Sequence, residues 1–140
     1  MLIVLDTNHF TELVRDSGFG QRLRARLKES QASVFTTIVN AQEITEGWCA
    51  FINSQPAGEK QIKGYLQFKN SLELMMELML LPFDEASAPG FHQLRKQLPR
   101  IGTMDLKIAS ICLAHDATLL SRNLVDFERI PSLRVENWLD

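Results

Sequence analysis

The chain is predicted to be an alternating α/β protein from three features: short runs of branched apolar residues, amphipathic segments between them, and acids where the runs stop. Residues 2–5, Leu-Ile-Val-Leu, form an unbroken apolar run of the kind that suits a parallel strand covered on both faces. Similar runs recur at 33–39, 79–83, 117–121 and 133–135, separated by stretches with helical periodicity.

Those stretches place helices at 9–16, 20–29, 40–53, 59–78, 85–97 and 103–115. The clearest turn is Asn-Ser-Gln-Pro-Ala-Gly at 53–58, and Pro82, Pro89, Pro99 and Pro131 punctuate the rest. No interdomain linker, repeat or low-complexity segment is evident, so a single domain over residues 1–140 is expected. In the longest helix Ile62, Tyr65, Lys69, Leu72, Met76 and Met79 are spaced three and four apart, with Leu66, Met75 and Leu78 widening the stripe. Such a Met-rich stripe packs either into the core or outward against a second subunit or partner helix.

No apolar run approaches the ~20 residues of a membrane span, and the first residues lack the basic start of a signal peptide, so a cytoplasmic location without a membrane partner is expected. Cys49 and Cys112 have neither CxxC spacing nor the numbers of a disulfide framework and read as buried free thiols. The net charge of −2 lacks the basic footprint of a typical nucleic-acid-binding domain and leaves the substrate open.

Ligands of an open parallel sheet bind beyond the carboxyl ends of its strands. Asp6 directly follows the first strand, Glu43 lies early in the helix after the second, and Asp126 follows the run at 117–121. Asp105 joins them if the start of its helix faces the same edge. Each acid also has an inert explanation. Asp6 is placed to cap a helix, Asp105 follows a Thr103 cap and complements a helix dipole, Glu43 suits a solvated helix face and Asp126 a turn. Their conjunction points to metal chemistry, because crowded carboxylates repel one another unless a cation intervenes. Oxygen ligands suit magnesium or manganese, whereas His9, His92 and His115 are too scattered for a zinc set and read as surface or packing residues.

The segments LIVLDTN, FTTIVNAQEITEG and IGTMDLKIASICLAHDATLLSRNLVDFERIPSLRVENW resemble a PIN domain of the VapC type, over nearly the whole chain. The resemblance implies a three-layer α/β/α sandwich with a mostly parallel, about five-stranded sheet. It further implies a ribonuclease toxin of a type II toxin–antitoxin module that hydrolyses RNA phosphodiester bonds with water activated by Mg2+ or Mn2+. A cognate antitoxin, whose extended tail blocks the acidic groove, and a homodimer are also implied. Asp6 matches the family's first acid, Glu43, four residues before Gly47, the second, and Asp105 the third; Glu46 competes with Glu43 but lacks the spacing to the glycine. For the fourth, some PIN domains carry an aspartate where Asn123 stands and others have the NxxDF seen here, which assigns Asp126 as the acid and Asn123 as a neighbour positioning it or a water. Thr7 and Ser121 fall beside the cluster, where their hydroxyls reach a carboxylate or cap a strand end.

For RNA contact, Arg22 and Arg26 flank a stripe of Phe19, Leu23 and Leu27, while Arg24 and Lys28 point to the other side of the same helix. A soluble amphipathic helix with charged flanks is the plain reading. Arg15, Arg95, Arg100, Lys107 and Arg122 are further phosphate contacts, with Lys107 and Arg122 nearest in sequence to the acids. Two rivals remain: a non-catalytic interaction domain on the same fold, and a phosphoaspartate enzyme. A dehalogenase-type phosphatase wants an aspartate where Asn8 stands, and a receiver wants paired acids near the N-terminus and a lysine after a late strand.

Overall fold

A computed structural model describes residues 1–140. The strands β1 (Leu2–Leu5), β2 (Ser33–Thr37), β3 (Met79–Leu81), β4 (Thr118–Leu120) and β5 (Arg134–Glu136) form one sheet in the order β3-β2-β1-β4-β5. Every neighbouring pair is parallel; Val4, for example, lies opposite Phe35 on one side and Leu119 on the other. All strand carboxyl ends therefore share one edge. The chain builds outward from β1 through β2 to β3, then resumes on the other side of β1 with β4, which makes the β1/β4 boundary a topological switch point.

Helices α1 (Thr7–Arg15), α2 (Gly18–Ser30), α3 (Ile38–Ser54), α4 (Ile62–Glu77), α5 (Ala88–Gln97), α6 (Thr103–Ala114) and α7 (Leu124–Phe127) make the connections. Strand alternation divides the core in two. Ile3, Leu5 and Leu120 pack with Phe10, Leu13, Leu23, Leu74 and Met75 on one face; Val4 and Leu119 pack with Leu94, Leu106, Ile111 and Phe127 on the other. The result is the three-layer sandwich with a parallel five-stranded sheet that the sequence predicts. Cys112 lies in the second core, Cys49 is half-buried, and both are free thiols.

Two helix crossings depend on missing side chains. A Cβ on Gly20 would lie 2.1 Å from the Glu12 carbonyl oxygen, so α2 crosses α1 closely only because the position is glycine. On Gly64 it would lie 2.8 Å from Ile52, where α4 meets α3.

Several boundaries differ from the sequence reading for local reasons. The predicted strand at 33–39 ends at Thr37, whose hydroxyl accepts the Asn40 N–H at 3.0 Å and starts α3 at Ile38. Helix α2 begins early because Ser17 accepts the Gly20 N–H at 3.0 Å. The predicted helix at 59–78 opens as a 3-10 turn at Glu59–Gln61. Its apolar stripe faces outward: Ile62, Tyr65, Leu72, Met76 and Met79 are exposed, Met76 by 86%, while Leu74 and Met75 supply the core contacts. The side of the stripe that carries Met75 and Leu78 packs into the core, and the rest faces outward. The short α7 was not foreseen, since residues 124–127 read as a turn.

Candidate active site

The four predicted acids meet at the carboxyl edge of the sheet, around the β1/β4 switch point. Asp6 leaves β1 at the residue before α1, the position of a helix cap, yet its side chain caps nothing. Instead one carboxylate oxygen accepts from Asn40 Nδ2 at 2.8 Å and the other from Ser121 Oγ at 2.7 Å. Ser121 follows β4 and is fully buried, as is Asn40 on the first turn of α3, so both donors are locked before any ligand arrives. Asp6 itself is only 7% exposed. The capping explanation of Asp6 is thereby excluded.

Glu43 lies three residues beyond Asn40 on the same face of α3 and accepts from Thr7 Oγ1 at 2.6 Å. Asn40 Nδ2 also reaches Thr7 Oγ1 at 3.3 Å, so Asp6 and Glu43 are joined through neutral donors. Across the switch point, Asn123 donates from Nδ2 to Asp105 at 3.3 Å and to Asp126 at 3.2 Å, while its backbone N–H donates to Ser121 Oγ at 3.0 Å. Asn123 thus spans two acids where the sequence reading gave it one. The expected Thr103 cap is absent: α6 starts after Gly102, with no side-chain cap.

Asp105 senses the other three acids. The Asp105 carboxyl is pushed up from the usual 3.8 to about 6, first by burial and then by the negative charges of Asp6, Glu43 and Asp126, with the Asn123 hydrogen bond opposing the rise. None of the four takes part in any of the chain's ion pairs. Glu46, the competitor of Glu43, is exposed and occupied by Gln42 Nε2 at 3.1 Å.

This donor set is oxygen-only and short of positive charge, which fits a hard divalent cation. The acids stand gathered rather than converged, since no three acidic, histidine or cysteine side chains form a ready-made ligand set around one point. A hard cation that keeps part of its water shell suits such a spacing better than a dehydrated one. Asn40 is the site residue the sequence reading missed. Its signal lay in the Thr37 cap and in its position one turn before Glu43.

A cavity of about 250 Å³ opens beside Glu43, lined also by Thr7, Thr11, Arg15, Trp48 and Phe51. A larger groove, lined by Ile38, Gln42, Glu46, Phe83 and Lys107, contains none of the four acids. Of the histidines, His9 is fully buried and accepts the Trp138 N–H at Nε2, 3.1 Å away. Burial above all, and then Arg122, push its pKa from 6.5 down to about 4, so it is a neutral packing residue, as expected.

Comparison with known proteins agrees with this architecture. The model of the family described as PIN domain matches residues 3–133. Ribonuclease VapC2 of Rickettsia felis is 34% identical over 86 residues, 58% of this chain and 64% of that protein. The tRNA(fMet)-specific endonuclease VapC of Salmonella typhimurium is 35% identical over 65 residues, 44% of this chain and 49% of that protein. The chain thus spans about half to two thirds of the curated relatives it matches. Among solved structures, VapBC2 from Rickettsia felis bound to a promoter DNA fragment superposes with a TM-score of 0.77 at 24% identity, covering 99% of both chains. FitAcB from Neisseria gonorrhoeae gives 0.73 at 23% identity, covering 98% of both. With a family model that runs from β1 past β4 and takes in every acid of the cluster, the chain belongs to the PIN domain family.

Proposed function

We propose that the protein is a metal-dependent endoribonuclease and the toxin of a type II toxin–antitoxin module. The observation that carries the reading is the set of four carboxylates, drawn from distant stretches to one sheet edge and fixed there by neutral donors without a basic partner. The matched relatives named as VapC ribonucleases and endonuclease support the activity, and the similarity to VapBC complexes supports an antitoxin partner.

Asp6, Glu43, Asp105 and Asp126 are the residues to hold Mg2+ or Mn2+. Held by them, such an ion would lower the pKa of water and offset charge growing on a phosphodiester. The chain's own groups set the geometry. Asn40 and Ser121 fix both oxygens of Asp6, Thr7 orients Glu43, and Asn123 holds Asp105 beside Asp126. Hydrolysis adds water at phosphorus, breaks one phosphorus–oxygen ester bond and returns a proton to the leaving oxygen. Without a cation, burial and then the charges of Asp6, Glu43 and Asp126 push the Asp105 carboxyl up to about 6, a cost that a bound divalent ion would offset.

The outward face of α4, with Ile62, Tyr65, Leu66 and Met76, supplies apolar surface for a homodimer. No helix is long and apolar enough to cross a membrane, which agrees with work in the cytoplasm. Purified protein is expected to cleave RNA with magnesium or manganese and to stop in EDTA. Cleavage that survives EDTA, or that Asp6→Asn leaves untouched while the variant stays folded, contradicts the assignment.

A further inference from the structure

Three arginines lie over two aromatic rings. Arg22 Cζ lies 5.0 Å and Arg122 Cζ 5.3 Å from the centroid of Phe19, so one ring joins two guanidinium groups. One helical turn beyond Arg22, Arg26 Cζ stands 4.1 Å from the Trp138 ring. The Trp138 backbone is itself tied to buried His9, which fixes that platform. Arg122 stands in the chain between Ser121, which holds Asp6, and Asn123, which holds Asp105 and Asp126, so the backbone that carries one end of the strip also carries donors to three of the acids.

The charges of this strip are available. Arg22 and Arg26 are exposed and belong to none of the chain's ion pairs. Arg122 is held only by the exposed Asp140, whose two carboxylate oxygens accept from Nε at 3.2 Å and Nη2 at 3.4 Å. That two-point contact is the one a guanidinium makes with a phosphate. Arginines stacked on rings lose less freedom when they bind, and unpaired bases stack on guanidinium planes and aromatic rings alike. Successive arginines one turn apart, about 6 Å, are spaced like neighbouring phosphates of a strand.

We infer that Arg22, Arg26 and Arg122, carried on Phe19 and Trp138, form the track on which a single-stranded RNA lies as it enters the acid cluster, with Asp140 occupying the Arg122 phosphate position until RNA displaces it. The inference rests on the ribonuclease reading for its ligand, but it concerns side chains outside the acids and is testable without cleavage.

The test is fluorescence anisotropy with labelled oligouridine in EDTA, across a salt series, for the unaltered protein, Arg22→Gln/Arg26→Gln, Arg22→Lys/Arg26→Lys and Asp140→Asn. The glutamine double variant should bind about tenfold more weakly at 0.1 M salt, with its log–log salt slope reduced by roughly 1.4 for two lost phosphate contacts. The lysine variant should keep the slope, and Asp140→Asn should bind about threefold more tightly. An unchanged affinity and slope in the glutamine variant, with its melting curve intact, overturns the track. No gain from Asp140→Asn overturns the role given to Asp140, and preference for polyglutamate over oligouridine overturns RNA in favour of an acidic protein segment. RNA held by the strip but never cut leaves the track and removes the nuclease; RNA cut with an unchanged KM in the glutamine variant does the reverse.

Discussion

Opposite edges of the same sheet treat aspartate in opposite ways. At the amino edge, Asp116 precedes β4 and Arg134 opens β5, and the two meet in an exposed ion pair with Nη1 and Oδ1 2.9 Å apart. At the carboxyl edge, Asp6, Glu43, Asp105 and Asp126 are surrounded by hydroxyls and amides and have no basic partner. An exposed pair is an ordinary way to settle a surface charge and is worth ~0–1 kcal/mol. Burial and then the charges of its acidic neighbours raise the Asp105 pKa, and such uncompensated crowding persists only if something else gains from it. The difference is what supports placing the proposed metal chemistry at the carboxyl edge, without reference to any relative.

The comparison breaks most visibly at Asp6. Asp6→Asn should lower RNA cleavage by at least about a hundredfold, equivalent to ~2.7 kcal/mol of barrier, in a single-turnover assay. A smaller loss, of about ten- to a hundredfold, is expected from Asn40→Ala or Ser121→Ala, which free one oxygen of Asp6 but leave the acids in place. An unchanged rate in both would mean that the donors only stabilise the fold.

A third change should improve stability while harming activity. The Asp105 carboxyl is raised in the folded state, so the folded protein binds more protons than the unfolded chain between about 4 and 6, and stability falls as pH rises through that range. A two-unit shift corresponds to at most ~3 kcal/mol, which half-exposure reduces to about 1 kcal/mol. In EDTA, Asp105→Asn should therefore denature about 1 kcal/mol later than the unaltered protein above pH 6, with the gain vanishing below pH 4. Equal urea midpoints at pH 7.5 would show that the acids do not strain the fold. Least of all, Asp116→Asn should leave cleavage unchanged and shift stability by no more than ~1 kcal/mol.

The layers, the parallel sheet and the acid edge were legible because they depend on patterns that survive without tertiary knowledge. A buried parallel strand must be apolar on both faces, as Ile3, Val4 and Leu5 are, and a residue that ends such a strand is carried to the ligand edge. What escaped depended on contacts between distant segments. Asn40 reads as an ordinary helix residue until β1 brings Asp6 beside it. Helix α7 has one turn, with Phe127 buried and Val125 80% exposed, too short for periodicity to register. Most of the α4 stripe has the spacing of a core face but lies outside, because Gly64, Ser71 and Leu74, with Met75 from the edge of the stripe, supply the inward side.

Direct measurement of the cation decides whether the acids are gathered for it. Thermal melting of the unaltered protein and of Asp6→Asn, each in EDTA and in millimolar Mn2+, requires no RNA and no turnover. The unaltered protein should melt several degrees higher with Mn2+, since an ion bound only by the folded state adds stability with its concentration, and Asp6→Asn should lose most of that rise. Equal rises in both proteins, or none in either, would contradict a metal centre at the end of β1.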